Sequence, residues 1–98
     1  MKKTQKYETM YIVRPEVSDA DLSKVTQRFK SVVEDHGGTV SHAAKWDRRK
    51  LAYEIDGCKE GNYVLMSFEA PTDLPAELSR LLGIADEVIR HRTFKVED

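Results

Sequence analysis

Apolar and polar positions along this chain switch between a period of two and a helical period, and each switch marks an element. From Lys6 to Arg14 the residues are rich in β-branched and aromatic types and stop at Pro15, which reads as a strand. Alternation puts Tyr7, Thr9, Tyr11 and Val13 on one face and Met10 and Ile12 on the other. A helix follows. Ser18 is its N-cap, with Asp21 three residues on, and Leu22, Val25, Phe29, Val32 and Val33 form one apolar stripe. Gly37-Gly38 closes it, because glycine readily takes the left-handed conformation at a helix end.

Thr39 to Ile55 reads as one long strand, broken or bulged around Trp46-Asp47. Asp56 to Gly61 is turn chemistry and reads as a loop longer than a two-residue turn, joining that strand to a second one over Asn62–Glu69 as a hairpin. Leu74, Leu78, Leu81 and Leu82 then predict a shorter helix from about Asp73 to Leu82, with Pro75 tolerated in its first turn and Gly83 as its end. Val88 to Val96 closes the chain as a strand. The order is β-α-β-β-α-β. Right-handed crossovers make the simplest solution an α+β, ferredoxin-like arrangement, a four-stranded antiparallel sheet with both helices on one face. The other face then has no cover, and Met10 and Ile12 are expected to lie exposed on it unless a partner sits there.

Composition narrows the function. Ninety-eight residues make one domain with a single modest core. The hydrophobic fraction of 40% and charged fraction of 34% describe a globular protein with a polar surface. No apolar run approaches the ~20 residues of a membrane span, and the cationic start Met1–Gln5 has no apolar stretch behind it to act as a secretory signal. Cys58 is the single cysteine, so neither an internal disulfide nor a Cys-based zinc cluster is available. A cytoplasmic protein is expected.

The formal net charge of −1 argues against wrapping nucleic acid with the whole surface. The charge is regional, however, with cations concentrated at Lys2–Lys6, Lys45–Lys50 and Arg90–Lys95. The middle cluster places four cations and Trp46 within six positions, ahead of Leu51-Ala52-Tyr53. Cations neutralise phosphates and aromatic rings stack on bases, so Lys45, Trp46, Arg48, Arg49 and Lys50 are candidate RNA contacts. On the last strand Arg90 and Arg92 share a face, with His91 opposite. Lys2 and Lys3 are expected to join them in a common basic rim.

Other chemistries lack their residues. His36, His42 and His91 have no Asp, Glu or Cys partner at a metal-site or nucleophile–base spacing, and Cys58 has Lys59 beside it but no His/Asp arrangement. Phosphate-cradling glycine loops are absent. Nothing calls for a cofactor, a small-molecule substrate or catalysis. An RNA-recognition motif shares the topology, but its glycine–aromatic signature is missing, and Tyr63 and Phe68 lie on opposite faces of their strand. A ligand-sensing domain dimerising through its sheet, or an acylphosphatase-like enzyme, would need a ligand or phosphate loop that the chain does not contain.

Several collinear segments carry a resemblance. Tyr7–Pro15 is similar to the opening strand of the bacterial small-subunit ribosomal protein six family, and Trp46–Tyr53 resembles that family's Trp-Gly-basic-Leu-Ala-Tyr signature. Tyr63–Met66 with Glu69-Ala70-Pro71, and Val88-Ile89-Arg90, resemble its third and last strands, so the likeness runs from about Tyr7 to Lys95. The resemblance implies a ferredoxin-like fold, no catalysis and a place in the small ribosomal subunit. It also implies binding to small-subunit (16S-type) rRNA in the central domain, on the platform, together with ribosomal protein eighteen. It places Arg48, Arg49, Lys50 and Trp46 at the family's basic-aromatic segment and Arg90 on its last strand. Two residues depart from the pattern: Asp47 stands where glycine is common and Glu54 where proline is common. On this reading the cations contact phosphates and sugars, Met10 and Ile12 serve protein eighteen, and Trp46 packs first against its own sheet.

Overall fold

The computed structural model describes residues 3–55 and 57–96. The elements are β1 (Thr4–Val13), α1 (Asp19–Asp35), β2 (Thr39–Ile55), β3 (Cys58–Pro71), α2 (Leu74–Ile84) and β4 (Val88–Lys95). The strands lie in the order β2-β3-β1-β4, with every neighbour antiparallel. This is the ferredoxin-like arrangement that the element order predicts.

Alternation on β1 decides which face is which. Thr9, Tyr11 and Val13 are buried, and Tyr11 and Val13 join Val64, Met66, Phe68 and Ala70 of β3 in one apolar layer. Leu22, Val25, Phe29 and Val33 of α1 and Leu74, Leu78 and Leu82 of α2 close over that layer, so both helices occupy the same side. Tyr11 meets Phe29 edge to face at 5.5 Å. Truncating a ring buried at such a centre costs about 3–5 kcal/mol.

The caps act as the sequence implies. The Ser18 hydroxyl accepts a hydrogen bond from the Asp21 amide at 3.2 Å, satisfying one orphan donor of α1. At the other end, Gly37 takes φ +84°, its amide donates to the Glu34 carbonyl, and the Gly38 amide donates to the Val33 carbonyl. That pair of bonds is the Schellman motif.

Three expectations need correction. The hairpin connection is shorter than expected: Ile55 pairs with Cys58, leaving positions 56 and 57 between the strands, with Gly57 at φ +79°. Cys58–Gly61 is strand, not loop. Gly83 does not end α2; only Gly37 and Gly57 have positive φ among the described glycines, and the helix runs on to Ile84. Ile12 is not exposed, with only 8% of its surface accessible. The physical reason lies at Gly61: a Cβ there would sit 2.3 Å from the Ile12 Cγ2 and 3.8 Å from the Ile89 Cδ1. Ile12 therefore fills the space that glycine leaves on the neighbouring strand. Met10, two residues back on the same face, is half-buried.

Past the Arg48–Asn62 pair, where Val13 ends β1, strands β2 and β3 pair on alone from Arg49–Gly61 to Ile55–Cys58 as a two-stranded arm, with a register shift between Lys50 and Ile55. Arg14 ties both ends of the arm to the body, Cys58 beside the hairpin turn and Asn62 at the root. The guanidinium Nη1 lies 3.6 Å from the Cys58 Sγ and Nε donates to the Asp86 carbonyl at 2.8 Å, while the Arg14 carbonyl accepts from the Asn62 side chain at 3.3 Å.

Candidate nucleic-acid interface

The uncovered face is built in rows across the four strands. Register puts Tyr63, Ile12 and Arg90 in one row, Ala44, Leu65, Met10 and Arg92 in the next, and Ser67, Glu8 and Phe94 in a third. The first row lies at the arm end. There β2 carries a register shift between Lys45 and Asp47, so Trp46 is the extra residue of a bulge. Its indole meets the Tyr63 ring at 6.3 Å and 77°, on the uncovered side.

Cations cap the rings. The Arg49 guanidinium carbon is 4.5 Å from the centroid of Trp46, Arg90 is 5.6 Å from Tyr53, and Arg92 is 5.8 Å from Phe94. These distances are within the range where a guanidinium is drawn to the ring face. Trp46 nevertheless keeps 52% of its surface exposed, Tyr53 61% and Phe94 37%. The Arg90 contact also shows that the arm bends toward β4, because Tyr53 lies near the arm tip and Arg90 on the far edge strand.

The basic stretch of β2 does not present its four cations to one side. Lys45 pairs with Val64 in the register, and its ammonium reaches Asp19 at the start of α1, 3.7 Å away on the helix side. Arg48 forms an ion pair with Glu60 at 2.6 Å. Arg49 donates from Nε to Asp47 at 3.1 Å, and the Arg48 amide donates to the other oxygen of the same carboxylate at 2.8 Å. Those two bonds, that of Arg49 first, hold the Asp47 pKa below its ordinary 3.8. Lys50 is exposed and lines a groove with Pro15, Glu16 and Glu54.

The predicted site residues thus divide. Trp46, Arg49, Arg90 and Arg92 come together on the uncovered face, whereas Lys45 and Arg48 are engaged elsewhere. The common rim with the N-terminus does not form: exposed Lys3 lies at the other end of β1 from Arg90, about 30 Å along the strand at the usual rise per residue. Lys2 lies outside the described residues. Three rings were missed as site candidates, Tyr53, Tyr63 and Phe94. Phe94 was findable, since it shares the parity of Arg90 and Arg92.

Fold and surface together define a small α+β protein whose exposed strand face carries arginines and aromatic rings. The family profile described as Ribosomal protein S6 matches residues 6–95. The small ribosomal subunit protein bS6 of Desulforamulus reducens is 48% identical over 85 residues, covering 87% of this chain and 90% of that protein. That of Clostridium botulinum is 47% identical over 87 residues, covering 89% and 93%. Among solved structures, the 30S ribosomal protein S6 of Thermotoga maritima superposes with a TM-score of 0.88 at 29% identity, covering 96% of this chain and 89% of that one. The chain belongs to the ribosomal protein S6 family. It is accordingly a structural component of the small ribosomal subunit in the cytoplasm, associated with the ribosome and its RNA, and not an enzyme. The resemblance read from Tyr7 to Lys95 is borne out.

Proposed function

We propose that this chain binds the central domain of small-subunit rRNA, on the platform, jointly with ribosomal protein eighteen. Arg90 and Arg92 contact phosphates and sugars and so set register more than sequence. Arg49 and Lys50 extend the positive field along the arm, with Arg48 and Lys45 contributing at longer range. The single observation that supports this most is that Arg90 and Arg92 share an exposed strand face and have no ion-pair partner among the described residues. The middle row, Ala44, Leu65 and Met10, offers protein eighteen a modest apolar patch. Ile12, in the neighbouring row of the same face and packed against Gly61, supports that patch from the side instead of contacting the partner. A nearly neutral protein can occupy an RNA site in this way because its cations are concentrated where contact is made.

The test is joint assembly on a central-domain rRNA fragment, followed by sedimentation with small subunits at moderate salt. The wild-type chain is expected to sediment with the subunit, and Met10→Glu to lose protein eighteen while remaining folded by circular dichroism. A wild-type chain that stays free overturns the RNA assignment, and intact joint assembly by Met10→Glu overturns the partner assignment.

A further inference from the structure

We propose that the arm end of the uncovered face holds unpaired RNA bases by stacking them on two arginine-capped rings, Trp46 with Arg49 and Tyr53 with Arg90. The inference rests on the RNA-binding reading above and adds the form of RNA that this face takes. Of the four exposed large hydrophobic residues among the described residues, three, Trp46, Tyr53 and Phe94, stand under arginines of this one sheet face or its arm. Lone exposed rings are ordinary, but three gathered on one face form a patch that a ligand can cover, and a base covers both a ring and a guanidinium plane without regard to sequence. The Arg90 guanidinium, which is not paired with a carboxylate among the described residues, adds the charge complementarity that a strand of phosphates needs and an apolar protein segment does not.

Stacking on these rings selects unpaired RNA, because only an unstacked base has a free face. Tyr63, on which Trp46 rests, and Arg90, on which Tyr53 rests, belong to strands two places apart in the sheet. That is about 10 Å at the usual strand spacing, against a rise of ~3.4 Å per nucleotide in a stacked strand. The platforms are thus about three stacked nucleotides apart, and a base that lays its face on either ring must leave its own stack, which a helical duplex does not permit. Both rings are already held by intramolecular contacts, so little side-chain freedom remains to be lost on binding. The middle row is left to protein eighteen, and the two occupants lie side by side.

The experiment measures binding of the full chain to a short oligouridine and to an RNA duplex of equal length, for the wild type, Trp46→Leu, Tyr53→Leu and the double variant. Leucine keeps apolar bulk and removes the stacking face, and urea unfolding verifies that each variant is folded. Each single variant is expected to weaken oligouridine binding about tenfold while leaving duplex binding unchanged. Equal losses on both RNAs, or no loss on either, overturn the stacking proposal while leaving joint assembly on rRNA intact. Ring variants that lose protein eighteen but bind oligouridine normally also overturn it, because the rings are then a protein contact. No detectable oligouridine binding by the wild type overturns it as well. Failure of joint rRNA assembly, measured separately, is what defeats the broader reading.

Discussion

Two short basic segments of this protein carry a pair of arginines each, and they end up as different surfaces. In the arm the pair is adjacent, Arg48 and Arg49, so strand alternation sends the two side chains to opposite faces. On β4 the pair is spaced by two, Arg90 and Arg92, and both stand on the uncovered face opposite Ile12 and Met10. Their partners differ as well. Arg48 and Arg49 are held by the carboxylates of Glu60 and Asp47, although Arg49 also lies over Trp46, whereas Arg90 and Arg92 lie over Tyr53 and Phe94 with no carboxylate partner among the described residues. A carboxylate cancels the charge that a phosphate would meet; a ring fixes the guanidinium and leaves its charge in place. Density of cations along a sequence is therefore a poor guide to the potential at a surface. Parity and counter-charge decide it.

The largest expected effect follows directly. Arg90→Ala with Arg92→Ala should weaken joint assembly on rRNA by on the order of 10- to 100-fold at ~0.1 M salt, and flatten the plot of log affinity against log salt by about two contacts. Arg48→Ala with Arg49→Ala removes the same formal charge from groups already engaged, and should flatten that slope less. Filter binding at several salt concentrations checks both. If the arm pair has the larger effect on the slope, counter-charge is not what separates the two segments. A second break acts on the arm's seat. Gly61→Ala puts a methyl group 2.3 Å from the Ile12 Cγ2, the methyl of a buried β-branched side chain with little room to withdraw. The expected cost is about 1–3 kcal/mol in urea unfolding. A neutral result would mean that the arm lifts from β1 readily.

Most of the fold was legible before any coordinates, because it depends on local chemistry. The alternating face of β1, the stripe and caps of α1 and the bulge at Trp46 all follow from period, cap residues and strand length. The hairpin turn was legible and misread: Asp56-Gly57 between paired strands is a strong two-residue turn signal. Gly61 drew the reading toward a longer loop, although its glycine serves close packing against Ile12. The site was less legible because its decisive contacts are long-range. Lys45 reaches Asp19, and Tyr53 reaches Arg90, only after the arm has paired and bent. Within Lys45–Lys50 only the Asp47–Arg49 pair is legible, two apart on one strand face; the carboxylates that meet Lys45 and Arg48 lie on other elements.

Asp47 provides the finest test of the comparison, since it stands where the resembled family commonly has glycine. Asp47→Asn keeps the side chain's size and its capacity to accept from the Arg48 amide, but removes the charge that opposes Arg49. RNA affinity is expected to rise several-fold at ~0.1 M salt, as one more cation becomes available to phosphate. The melting temperature should hardly move, because the pair is exposed and such pairs contribute little to stability. A still smaller effect reports the same bond from the other side. Because the Asp47 pKa is depressed in the folded protein, its stabilising contribution is present above the ordinary 3.8 and is lost as pH falls through the lowered value. In an NMR titration the Asp47 carboxyl should titrate below 3.8, and Arg49→Gln should move it upward, since Arg49 is the largest cause of the shift. A carboxyl whose titration is indifferent to Arg49 would show that the two side chains are not clamped in solution. The arm and β4 would then differ by parity alone.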